Sequence, residues 1–186
     1  MLIPLRLSAL SDEQLMLRAA RGSDRAFEEL YNRHARRLQG FFVRRLGDDA
    51  DLAADFMHDT FLRLYAARET YREGRNFRAW LFTIAYNLCR NHHRNQLTIV
   101  SDEGVDITDE ASIEVDLDMK DLHDALREIL RKLPEPYAML FSLHYEEELS
   151  VPQIAQITNL PEGTVKSRLH KAMNIIKQNL KQYEHH

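Results

Sequence analysis

A chain of 186 residues, 44% hydrophobic and 29% charged, has the length for one or two domains and an ordinary globular composition. Six Gly, five Pro and almost no alternating Val/Ile runs exclude a β-rich fold, while a single cysteine excludes an internal disulfide and fits a cytoplasmic setting. The net charge of −4 argues against nucleic-acid binding only until it is divided: residues 1–95 hold 16 Arg and no Lys against 12 acids, residues 96–120 one Lys against eight acids, and residues 162–181 five bases against Glu162 alone.

The opening MLIPLRL is apolar but lacks a basic leader and a small-residue cleavage site, so it does not read as a signal peptide. No apolar run approaches the roughly 20 residues that cross a bilayer, and no membrane insertion is expected. Ser11-Asp-Glu-Gln14 is a capping-box pattern that starts a short helix ending at Gly22. A second helix begins near Ser23-Asp24 and carries Phe27, Leu30, Tyr31, His34, Leu38, Phe41 and Phe42 on one face; Gly47-Asp48-Asp49 breaks it. A third helix, from about Asp51 to Arg68, projects Asp55, His58 and Asp59 together, with Leu62 and Arg63 one turn on.

The stretch NFRAWLFTIAYNLCRNHHR, Asn76 to Arg94, has Phe77, Trp80, Leu81, Ile84, Ala85 and Leu88 at the spacing of a buried stripe. Thr83, Asn87, Arg90 and Arg94 form the opposite stripe, and no acid occurs between Asn76 and Gln96, where a merely solvated face would carry Glu–Lys pairs. Four such stripes can bury one another as a small bundle over residues 1–95. From Leu97 to about Asp118 the period fails, and the acidic run SDEGVDITDEASIEVDLD reads as a flexible linker over 96–119. A second helical unit over 120–186 follows, with a stripe of Leu122, Leu126, Ile129, Leu130 and Leu133 stopping at Pro134, then a helix from Glu135 to Glu147.

Ser150-Val-Pro-Gln153 is another capping box with Pro152 in the first turn, and Thr158-Asn159-Leu160-Pro161 is a turn in which Asn159 tolerates left-handed angles. In EGTVKSRLHKAMNIIKQNL, Val165, Leu169, Ala172, Met173, Ile176 and Leu180 make the buried stripe, leaving Thr164, Lys166, Ser167, Arg168, His170 and Lys171 outward. Two helices joined by a short turn, the second basic, describe a helix-turn-helix whose second helix enters the DNA major groove. The fold class expected is all-α: two small helical domains joined by a flexible acidic linker, the second a helix-turn-helix.

The order of these segments resembles the extracytoplasmic-function sigma factors, the small two-domain class of bacterial RNA polymerase initiation subunits. DLAADFMHDTFLRLY is similar to their core-polymerase-binding segment, NFRAWLFTIAYNLCRNHHR to their promoter-melting and minus-ten segments, and LPEPYAMLFSLHYEEELSVPQIAQITNLPEGTVKSRLHKA to their minus-thirty-five reader. The resemblance implies that Asp55, His58, Asp59, Leu62 and Arg63 meet core polymerase, with His58 where the family more usually has Gln. It further implies that Arg75, Asn76, Phe77, Arg78, Trp80, Thr83, Asn87, Arg90, Asn91 and Arg94 meet minus-ten DNA. Within that set the residues read Trp80 as core rather than as a base-stacking ring. Thr164, Lys166, Ser167, Arg168, His170 and Lys171 are the corresponding minus-thirty-five set; the family often has Leu-Gly where Thr158-Asn159 stands. An anti-sigma factor is the further partner implied.

Three other readings compete on sequence grounds. Cys89, His92 and His93 share a helix flank at metal-binding spacing, yet no fourth ligand is evident, and no metal or cofactor is expected. No phosphate loop, nucleophile motif or paired carboxylates indicate an enzyme. The serious alternative is a stand-alone helix-turn-helix regulator whose first domain senses or dimerises.

Overall fold

The computed structural model describes residues 6–100 and 122–183, and every regular element among them is helical. They fall into two compact units, residues 1–97 and 98–186. The first holds α1 (Asp12–Ala20), α2 (Asp24–Arg45), α3 (Ala50–Ala66) and most of α4 (Phe77–Val100), with 3-10 turns at Leu7–Ala9 and Arg68–Thr70. The second holds α5 (Leu122–Lys132), α6 (Glu135–Phe141), a π-helical stretch at Ser142–Glu146, α7 (Val151–Thr158) and α8 (Glu162–Tyr183).

In the first unit the stripes read from sequence become one core. Leu15, Met16, Leu30, Leu38, Leu64 and Leu81 are fully buried with Phe41, Phe42, Phe77 and Phe82, and the Phe41 ring meets those of Phe42 and Phe82 edge to face. Ser11 and Gln14 form the expected capping box at α1, while Ser23 and Asp49 cap α2 and α3 through their side chains. Polar contacts then fix α1 on α2. The Arg33 guanidinium donates to the carbonyls of Leu7, Ser8 and Leu10 and to the carboxylates of Asp12 and Glu29. The second Asp12 oxygen lies 2.7 Å from Nε2 of His34, and the His34 bond, reinforced by Arg33, holds the Asp12 carboxyl below the usual carboxylate range.

The second unit closes around Ile129, Leu133, Ala138, Ala172 and Ile176. Ser150 and Gln153 form the capping box that starts α7, and the turn to α8 passes through Asn159 at φ 56° and ψ 37°. Buried Ile154, Ile157, Val165 and Leu169 line the α7 and α8 faces turned to the core.

Two boundaries differ from the periodicity reading. The α4 helix runs on to Val100 instead of failing at Leu97, because neither Gly nor Pro stops it before Gly104. The helix expected over Glu135–Glu147 ends at Phe141 and widens into the π stretch, where the Glu147 amide donates to the Ser142 carbonyl. Residues 101–119 of the expected acidic linker lie outside the described residues.

Candidate nucleic-acid interface

Three surfaces carry the residues singled out in the sequence. On α4, Asn87, Arg90, Asn91 and Arg94 are all exposed and, at offsets 0, 3, 4 and 7, make one continuous stripe. Thr83 extends it, half-buried, with its hydroxyl donating to the Ala79 carbonyl of its own helix. The stripe therefore presents amides and guanidinium groups with no carboxylate among them, a surface suited to base edges and phosphates.

The start of α4 is built differently. Phe77 is fully buried and lies 5.2 Å from the His34 ring, so it anchors the helix and is not available to DNA. Asn76 turns its side-chain oxygen onto the Ala79 amide at 2.8 Å, which makes it the cap of α4 before anything else. Trp80 is 6% exposed, in keeping with the core reading and against direct base stacking. Phe77 and Trp80 thus leave the DNA-contacting set, because the apolar stripe they belong to is consumed by the core.

Ahead of the helix, the loop 71–76 is closed on itself. Tyr71 stacks on Trp80 at 5.3 Å, and its hydroxyl donates to the Arg75 carbonyl in a short hydrogen bond. The Arg75 guanidinium lies 4.6 Å from the Trp80 ring centre, a cation–π contact that covers the indole. Gly74, at φ 84°, lets the backbone turn between them. Arg75, within the loop, is exposed, and Arg78, in the first turn of α4, is half-buried. The Phe77 amide donates to Oε1 of Glu13, a residue on α1 that the sequence reading did not single out.

On α3, Asp55, His58 and Leu62 are exposed, Leu62 at 69%, beyond any other large apolar side chain described. Asp59 is half-buried and already engaged: Arg63, one turn on, donates to both of its oxygens at 3.0 Å. The His58 ring stacks on Tyr31 at 6.3 Å. The face thus combines acid, imidazole and an unprotected leucine, a combination suited to a basic and apolar protein partner.

On α8, Lys166, Ser167 and His170 are exposed, whereas Thr164, Arg168 and Lys171 are half-buried. The Ser167 hydroxyl donates to the Thr164 carbonyl, and the Lys171 ammonium lies 5.7 Å from the Tyr137 ring centre. The exposed trio shares the outward side of the helix. Lys171 stands at its margin, steadied by an aromatic ring that spacing alone could not reveal.

The rival cluster has other employment. Cys89 is fully buried, and the His92 ring stands edge-on to Phe56 at 5.4 Å. Burial and the neighbouring His93 push His92 below the ordinary imidazole range.

Comparison with known proteins agrees with this arrangement. Residues 30–97 match the family description Sigma-70 region 2, and residues 123–175 match Sigma-70, region 4. The chain is 31% identical over 182 residues to the RNA polymerase sigma-H factor of Pseudomonas aeruginosa, covering 91% of this chain and 94% of the relative. It is 27% identical over 183 residues to the ECF RNA polymerase sigma-E factor of Haemophilus influenzae, covering 92% and 96%. Among solved structures, the sigma factor RpoE in complex with the anti-sigma factor NepR from Bartonella quintana superposes with a TM-score of 0.65 at 25% identity, covering 83% of this chain and 96% of that one.

Proposed function

The chain belongs to the sigma-70 family, in its extracytoplasmic-function class, and directs bacterial RNA polymerase in transcription initiation; from that premise we propose which of its surfaces performs each step. The α3 face of Asp55, His58, Asp59, Leu62 and Arg63 docks on core polymerase. The α4 stripe of Thr83, Asn87, Arg90, Asn91 and Arg94, with Arg75 and Arg78 at the loop, takes the non-template strand as the minus-ten region opens. The α8 surface of Thr164, Lys166, Ser167, Arg168, His170 and Lys171 enters the major groove of the upstream element.

The observation that carries this reading is the acid-free stripe on α4. Opening duplex DNA without ATP costs a few kcal/mol per unstacked base, and captured bases and phosphates must offset it. Asn87 and Asn91 supply amide donors and acceptors for base edges, and Arg90 and Arg94 supply the salt-sensitive phosphate attraction. No step calls for bond chemistry, so the protein works as a specificity subunit and not as an enzyme. A subunit of polymerase acting on promoter DNA works in the cytoplasm. An anti-sigma factor is a further partner, as seen for the Bartonella quintana relative. The exposed Leu62, which stays wetted until some partner covers it, supports such competition for the α3 face.

The test is co-migration with core polymerase on a sizing column, beside Asp55→Ala/His58→Ala/Asp59→Ala. Co-migration lost in the variant supports the α3 assignment. Undiminished co-migration sends the docking surface elsewhere.

A further inference from the structure

The first helix lies before residues 30–97, which match Sigma-70 region 2, yet its Glu13 side chain reaches the start of α4. Phe77 opens α4, and its amide is one of the orphan donors of the first helical turn. It donates to Oε1 of Glu13 at 3.2 Å, across 64 positions of sequence. The cap supplied locally by Asn76 serves a different amide, that of Ala79. Glu13 in turn sits on a helix that cannot drift, because its neighbour Asp12 is held by His34 and Arg33 of α2 at 2.7 and 3.0 Å. A carboxylate at a helix N-terminus also gains from the helix dipole.

Resting on the reading of α4 given above, we propose that Glu13 is a positioning residue for promoter opening: its carboxylate ties the start of α4, and with it the Tyr71–Asn76 loop, to the α1–α2 frame. Within the loop the Arg75 amide donates to the Arg72 carbonyl, and Tyr71 is buried against Trp80. Its closure also includes the Tyr71 hydroxyl on the Arg75 carbonyl and the Arg75 guanidinium over Trp80, and Gly74 stands in left-handed backbone between them; these contacts shape the loop, and the Glu13 bond joins the helix that follows it to α1. The Glu13 bond sets where that closed loop stands against the strand to be captured, so its loss costs discrimination between correct and incorrect bases more than polymerase affinity.

The test uses full-length protein with core polymerase and a promoter recovered by the wild-type holoenzyme from a randomised duplex pool. With 2-aminopurine in the non-template strand, opening rates are measured on that promoter and on a copy bearing a substituted base in the opened region. Glu13→Ala is expected to cut the ratio of the two rates by about tenfold, the factor matching loss of one charge-assisted hydrogen bond. Glu13→Asp, which keeps the charge but withdraws the oxygen by one methylene, should fall with it. Glu13→Gln, which keeps the acceptor oxygen, should stay within about threefold of wild type. A role confined to fold stability lowers the amount of active holoenzyme and leaves the ratio untouched, so an unchanged ratio in Glu13→Ala and Glu13→Asp overturns the proposal. Arg90→Ala/Arg94→Ala separates the premise: if it opens the promoter at the wild-type rate, the α4 reading falls and takes this proposal with it. If it slows opening while the Glu13 variants keep the ratio, only the role of Glu13 is lost.

Discussion

Tyr71 lies buried against Trp80 with its hydroxyl on the Arg75 carbonyl, and burial, aided by the nearby Glu13 carboxylate, pushes its pKa up to about 12. An unfolded tyrosine titrates near 10, so between about pH 10 and 12 the unfolded chain has released a proton that the folded chain keeps. Stability therefore falls as pH rises through that window, by an amount on the order of 2 kcal/mol, and levels off above it. Urea midpoints followed through Trp80, the only tryptophan, should drop between pH 9 and 11 by more in wild type than in Tyr71→Phe; equal drops would place the ionisation elsewhere. Residues 1–95 contain no lysine to obscure the comparison. Asn76→Ala should cost about 1 kcal/mol of the same unit's stability, while Asn76→Asp costs little, because both native and aspartate side chains offer the capping oxygen. At this scale the legible part was what one helix contains. Asn87, Arg90, Asn91 and Arg94 share a face by spacing alone, and that face is exposed. Asn76 stood just before the first apolar residue of the stripe, which is itself a cap signal, yet the resemblance drew it toward DNA. Phe77 served both as a stripe residue and as an implied minus-ten contact in the sequence reading, and the core claims it. The Glu13 contact was beyond reach, since no local pattern joins residues 64 positions apart.

At the scale of elements, both capping boxes, Ser11 with Gln14 and Ser150 with Gln153, were written in the sequence and close reciprocally in the structure. The turn between α7 and α8 was legible for a related reason: Asn159 is among the few side chains that enter left-handed backbone cheaply, and it sits there at φ 56°. Its amide donates to the Ala155 carbonyl, and the next, that of Leu160, does the same at 3.2 Å. Asn159→Gly should leave stability within about 0.5 kcal/mol, whereas Asn159→Val should lose about 1–2 kcal/mol, read from urea unfolding of the second unit. If Val were tolerated as well as Gly, the strain at this turn would not be what limits the residue choice. The π stretch after Phe141 was not legible, because one widened turn shifts later side chains by about 100° without disturbing composition or propensity. Buried Glu147 and the His144 ring on the Leu149 carbonyl, 2.8 Å away, belong to that irregular turn.

For the molecule as a whole, a net charge of −4 coexists with two basic surfaces on different elements, and a charged partner at either surface responds to the local charges because ionic screening hides those beyond about 10 Å. The two surfaces are assigned to different states of DNA, duplex for α8 and unpaired strand for α4, and salt dependence can separate them. Each phosphate neutralised on duplex lowers the slope of log affinity against log salt by about 0.9, and on single strands by about 0.7. In fluorescence anisotropy with the free chain, Lys166→Gln/Arg168→Gln should flatten the duplex slope by about 1.8 and leave a single-stranded probe unaffected. Arg90→Gln/Arg94→Gln should do the converse, flattening the single-strand slope by about 1.4 and sparing the duplex. Absolute affinity for duplex should stay in the non-specific range, weaker than about 1 μM at physiological salt, because α8 alone offers few contacts until polymerase presents both surfaces to one promoter. Crossed effects, with the α4 pair altering duplex binding as strongly as the α8 pair, would mean that the α4 stripe is a general phosphate clamp, and the division of labour between the two helices would have to be abandoned.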